Sequence, residues 1–158
     1  MTYDPISTYR TAQVTTSSPV GQVVLLYQGA IRFATIHLAA LERRDIEAAH
    51  HASIRSQEIV SGLREVLDLS AGPVAGQLDA LYAFILGRLV AGNTAKDPRP
   101  TAEAIELLRS LLGAWRELAA GGDPARAERT VAERTVAERT AAERSAPSAG
   151  FATFGNVA

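Results

Sequence analysis

The sequence predicts an all-α protein: an antiparallel up-down four-helix bundle with a mobile N-terminal arm and a low-complexity C-terminal tail. Three observations lead there. Four long stretches space their apolar residues at the helical period, capping or breaking residues bound each stretch, and the connections between stretches are short. Long helices of similar length joined by short links settle as antiparallel neighbours. The 158 residues suffice for one domain with its own core and leave no room for a second.

Residues 1–17 are rich in Thr and Ser, contain Pro5 and show no periodicity, so they read as a mobile arm. Ser18 supplies an N-cap and Pro19 a first-turn residue for helix 1, which continues to about Arg43. Asp45 caps helix 2, running to about Leu67, and the Gly of "LSAGP" closes it. Pro73 opens helix 3, which reaches about Asn93; "KDPRPT" then breaks the chain before helix 4, about Ala102 to Ala119. Residues 18–119 are thus the bundle, each helix near 30 Å long at about 1.5 Å per residue.

Residues 120–158 change character. After "GGDPAR" come four five-residue units, AERTV, AERTV, AERTA and AERSA. A period of five advances about 500° around a helix, so Val131, Val136 and Ala141 point three different ways and form no stripe. Arg129 to Glu133, Arg134 to Glu138 and Arg139 to Glu143 are i,i+4 pairs in the weaker order. The expectation is a frayed helix or disorder that buries no face.

On helix 1 the seam is Val20, Val23, Val24, Tyr27, Ala30, Ile31, Ala34, Leu38 and Leu41. A second row, Leu26, Phe33, His37 and Ala40, lies beside it, with Leu25 and Ile36 further round, so this helix needs covering on two sides. Helix 4 is ordinary by contrast: Ile105, Leu108, Leu111, Leu112 and Trp115 face inward while Glu106, Arg109, Ser110, Arg116 and Glu117 face out. Helix 3 has a seam of Val74, Leu78, Leu81, Tyr82, Ile85 and Leu89. It also has a back row of Ala80, Ala83, Gly87 and Ala91, flanked by Phe84 and Val90. Small residues in such a row let another helix approach closely. Apolar rows left bare mark a protein contact, either a partner helix or self-association of the bundle.

Composition removes other function classes. A net charge of -1 gives no basic field for nucleic acid or anionic lipid, and the absence of Cys excludes thiolate chemistry. The N-terminus has no signal-peptide pattern, and Asp79 and Arg88 interrupt the greasiest helix, so no membrane insertion is expected and the location reads as cytoplasmic. His37, His50 and His51 lack chelating spacing, and no nucleophile elbow or phosphate loop occurs; no enzyme, cofactor or metal is expected. The enzymatic alternative is a histidine phosphotransfer bundle using His51. Its +3 and +4 neighbours, Ile54 and Arg55, differ from the His-x-x-Lys-Gly pattern of such domains.

The run "SSPVGQVVLLYQGAIRF" resembles the Ser-Pro... Leu-Tyr-Asp-Gly-Ala opening of the flagellin export chaperones, the FliS family. The likeness continues in order through "YRTAQV", "HASIRSQEIVSGL", "LDALYAFILGRLVAGN" and "IELLRSLLGAW", over about residues 9 to 118. Gln28 replaces the family's acidic residue after Tyr27, Gly21 removes an acidic residue near Ser18, and Gly92 stands where Ala is frequent. The resemblance implies a cytoplasmic bundle that binds the disordered C-terminal segment of flagellin, blocks premature polymerisation and brings it to the flagellar type III export gate. Free, the chain is expected to be a monomer or weak dimer. The implied docking residues are Tyr9, Val14, Leu26, Tyr27, Ile31, Phe33, Gln57, Ile59, Leu63, Ala83, Phe84, Gly87, Arg88, Val90, Ala91 and Asn93. In the family the arm, here carrying Ile6, Tyr9 and Val14, resembles a lid that yields to flagellin. Phe151 and Phe154 at the far end are a second short apolar patch.

Overall fold

The computed structural model describes residues 19–145, all of whose regular elements are helical. Five helices follow one another: α1 Pro19–Glu42, α2 Ile46–Glu65, α3 Pro73–Ala95, α4 Pro98–Ala119 and α5 Pro124–Ser145. The arm with Ile6, Tyr9 and Val14, the Ser18 cap, and the Phe151 and Phe154 patch lie outside the described residues. α1 neighbours α2 and α4, while α3 neighbours α2, α4 and α5, so α1 and α3 stand diagonally across the core.

Local chemistry explains the ends. Arg44 turns the chain after α1 in the left-handed region (φ 60), and Asp45 then caps α2 by accepting the Ala48 N–H at 3.1 Å. α2 stops two residues before the expected Leu67; Asp68 organises a short 3-10 turn, Leu69–Ala71, by accepting the Ser70 N–H at 3.0 Å. Gly72, at φ 126 and ψ -176, sits where a side chain would be strained. α3 outlasts its expected end at Asn93 and closes on Lys96, left-handed at φ 54.

The start of α4 is a correction. Residues 98–101 are helix rather than breaker, because Asp97 caps them through the Arg99 N–H at 3.0 Å, and Pro98 and Pro100 fall where N–H groups need no helical partner. Gly92 permits the close passage of α3 over this start. A methyl there would overlap Thr101 Oγ1 and come within 3.1 Å of the Asp97 carbonyl oxygen.

The core is a continuous cluster around Tyr27, Val60, Leu81, Tyr82, Ile85, Leu89, Leu108 and Leu111. Polar groups within it are mostly paired: the Tyr27 and Tyr82 hydroxyls meet at 2.6 Å, and Ser56 Oγ donates to the Ala30 carbonyl at 2.9 Å. His37 is fully buried, its Nδ1 2.8 Å from the Ala49 carbonyl oxygen. Since a carbonyl only accepts, Nδ1 carries the proton; Nε2 has no partner. α1 and α3 are long and apolar enough, by composition alone, to cross a bilayer. In the fold their seams meet the neighbouring helices instead.

α5 corrects both the four-helix count and the expectation of a frayed or disordered repeat. It lies along α3 and α4, and Val131 enters the core at 5 % exposure. Val136, at 64 % exposure, and Ala141 face solvent, as a five-residue period requires. Small and mixed residues make the buried stripe: Ala127, Val131, Thr135 and Glu138 recur at helical spacing, and all are at least partly covered. Arg134 Nε donates to Ser110 Oγ at 2.8 Å, and Arg126 pairs with Glu117 at 3.4 Å. Truncation after Ala120 is expected to leave α1–α4 folded and to lower the unfolding free energy by about 1–2 kcal/mol. That is the order set by one buried valine less the ordering entropy of its helix. Urea denaturation of the full and truncated chains checks this; loss of the cooperative helical transition would make α5 integral to the bundle.

Candidate docking surface

α3 contains two charged side chains, Asp79 and Arg88, and both are committed sideways. Asp79 meets Arg64 of α2 through two bonds, at 2.6 and 3.3 Å, and that hydrogen bonding holds its carboxyl below the usual aspartate range. Arg88 reaches Glu103 of α4 at 2.7 Å. The strip between them, facing away from the core, is therefore uncharged: Ala80 and Gly87 are exposed, Ala83 and Ala91 half-buried, and Val90 47 % exposed. A Cβ at Gly87 would touch nothing within 4 Å. Phe84, expected as the other flank, is half-buried against the core and lines a cleft with Arg88, Glu103, Leu107 and the α5 residues Arg134 and Glu138. α5 thus forms that wall.

The second row lies elsewhere and is bare only at one end: of Leu26, Phe33, His37 and Ala40, the last two are fully buried. Gly29 of α1 packs over Ile59 of α2, whose Cδ1 is 3.3 Å from where a Cβ would stand. Leu26 and Phe33, at i-3 and i+4 from Gly29, share this flank, Leu26 at 42 % exposure and Phe33 half-buried. α2 stands between this flank and the α3 strip, so the two rows do not form one groove.

Other candidate residues hold the frame. Tyr27 and Leu63 are core, and Ile31 packs at its margin. Asn93 is buried and bonds through Nδ2 to His50 Nδ1 at 2.9 Å; Gln57 donates to Ser53 Oγ at 3.0 Å. Tyr9 and Val14 lie outside the described residues. Sequence reasoning did not find the Arg64–Asp79 and Arg88–Glu103 pairs that clear the α3 strip of charge; residues 15 apart on separate helices leave no local signal. His51 is exposed, and among the described residues no group of three or more His, Cys, Asp or Glu could hold a metal ion.

A family model described as "Flagellar protein FliS" matches residues 2–122, stopping just short of α5. The chain is 34 % identical over 105 residues to the flagellar secretion chaperone FliSB of Pseudomonas aeruginosa, covering 66 % of this chain and 83 % of that protein. It is 31 % identical over 111 residues to the flagellar secretion chaperone FliS of Campylobacter jejuni, covering 70 % and 87 %. Against FliS of Bacillus subtilis the identity is 25 % over 114 residues, covering 72 % and 85 %.

Proposed function

The chain belongs to the FliS family of flagellar secretion chaperones, and from that premise we propose that it binds the C-terminal segment of flagellin in the cytoplasm. By covering the segment it prevents premature polymerisation, and it delivers flagellin to the flagellar type III export apparatus. One observation carries this reading: the outward face of α3 is uncharged, built of small residues and open. A helix seated there reaches close packing distance without desolvating a charge. The cargo's apolar anchors replace water on a face that none of the five described helices occupies.

The separation of the two bare rows favours an extended partner. A segment disordered when free can cross α2 and meet both the α3 strip and the Leu26 flank, whereas a compact domain would reach one of them. Isothermal titration of the full chain with the C-terminal segment of the cognate flagellin is expected to give a one-to-one complex with a negative heat-capacity change, the mark of apolar burial. No heat, with no change in elution on mixing, would overturn the reading.

A further inference from the structure

On the side of the bundle that α3 does not border, α1 and α4 enclose an open cleft. Its floor is Ile31, Leu112 and Gly113, and its rim is Arg32 from α1 with Arg109 and Arg116 from α4. Arg109 and Arg116 are seven residues apart, so they point the same way about 10 Å apart along the helix. Arg109 has a long, exposed contact to Glu106 at 3.5 Å, a pair that exchanges readily. Arg32 and Arg116 enter no ion pair among the described residues. Three guanidinium groups thus gather over an apolar floor on a chain whose net charge is -1. Gly113 completes the site: a Cβ there would meet nothing within 4 Å, although helix propensity alone favours alanine. Its missing side chain leaves an open, low spot on α4 between the two arginines, with room for a partner's side chain.

We propose that this cleft is a second protein-docking surface, one that takes an acidic amphipathic helix of a partner protein. Carboxylates at i and i+7 of that helix would meet Arg109 and Arg116, and an apolar side chain between them, at i+3 or i+4, would seat on Gly113 against Ile31 and Leu112. The spacing and charge of the arginines and the open glycine between them match the heptad of such a helix. The chain's own terminal segments do not fit, since residues 1–18 and 146–158 hold a single acidic side chain, Asp4. A second copy fits poorly: Glu58 and Glu65 of α2 have the spacing, but Ser61 and Gly62 between them supply no apolar knob. Neither α3 nor Leu26 and Phe33 of α1 line the cleft, so cargo and this partner are held at once.

The test uses the full chain and a labelled three-heptad helical peptide with Glu at i and i+7 and Leu at i+3 and i+4. A second peptide has Lys in place of each Glu. Fluorescence anisotropy is expected to show binding of the acidic peptide alone, weakening about tenfold as salt is raised from roughly 50 to 300 mM and the Debye length falls from roughly 14 to roughly 6 Å. The double variant R109E/R116E should weaken it by about tenfold or more, as charge reversal at an interface does. Gly113→Leu should weaken it by a similar factor through bulk, with the salt dependence unchanged, and Gly87→Leu should leave it intact. Equal binding by the Lys peptide, or undiminished binding by R109E/R116E or Gly113→Leu, overturns the proposal. A dimer of the chain alone that R109E/R116E abolishes in sedimentation would assign the cleft to a second copy, and so would overturn it too.

Discussion

Tyr27→Ala is expected to lower the unfolding free energy by about 3–5 kcal/mol, the range for emptying a fully buried aromatic site. The ring has no exposed surface and packs against Tyr82 and Trp115, with centroids 6.2 and 6.4 Å away. Tyr27→Phe separates the hydroxyl from the ring. It should cost about 1–3 kcal/mol, because the Tyr82 hydroxyl, 2.6 Å away in the native pair, is left buried without that partner. Tyr27→Phe/Tyr82→Phe removes both groups, so it should cost less than the two single changes added together. Urea denaturation of the native chain, Tyr27→Ala, Tyr27→Phe, Tyr82→Phe and the double Phe variant checks the series; simple additivity of the Phe changes would mean that the hydroxyls do not depend on one another.

The same pair sets an alkaline limit. Burial pushes the Tyr82 phenol up to about 12, and burial together with the neighbouring phenol pushes Tyr27 well above its ordinary value of 10.0. The folded state therefore keeps protons that the unfolded state releases. Stability from this source is complete below about pH 10 and is lost as pH rises toward the folded values. For Tyr82 alone the loss amounts to about 2–3 kcal/mol at 1.36 kcal/mol per pH unit. Repeating the denaturation between pH 8 and 12 should show a steeper decline for the native chain than for the double Phe variant. Parallel curves would place the alkaline sensitivity elsewhere.

Signals that act within a few residues were legible in the sequence. Asp45 caps α2 as its position before an apolar-periodic run requires, and Pro73 opens α3. Asp97 had the same potential but stood among two prolines, and the dipeptides that mark a turn outweighed the cap that starts a helix. The repeat was misread for a different reason. Periodicity asks whether strong apolar residues share a face, and α5 binds with one valine, an alanine and a threonine, helped by an Arg134–Ser110 bond between residues 24 apart. No pattern within the repeat encodes that bond.

For the docking surface, the small row of α3 was visible as spacing. Its lack of charge was not, since that depends on Arg64 and Glu103 drawing Asp79 and Arg88 aside. Residues taken from the family likeness mixed two roles, because Tyr27, Leu63 and Asn93 answer to the same motifs as Leu26 and Val90 yet are buried. A motif records which residue is wanted at a position. It does not record which way the residue faces.

Gly87→Leu should separate folding from cargo binding more sharply than any other single change. The position is exposed and a side chain there meets nothing of the protein itself, so the bundle should unfold at the same denaturant concentration or a slightly higher one. Replacing a helix glycine contributes up to about 1 kcal/mol of stability. The cargo meets the opposite situation. A leucine standing in the middle of the Ala80, Ala83, Gly87, Ala91 row fills the space a docked helix needs, and it cannot turn into the core because that side of α3 is occupied by Ile85 and Leu89. Affinity for the flagellin segment is expected to fall by about 100-fold or more, equivalent to about 2.7 kcal/mol. The companion change Gly87→Ala should retain most of the binding, since one methyl adds little height to a row already made of alanines. Titration of both variants, with thermal melts alongside, decides the matter. Unchanged binding by Gly87→Leu would move the cargo off α3, and the Leu26 flank of α1 would then be the surface to mutate.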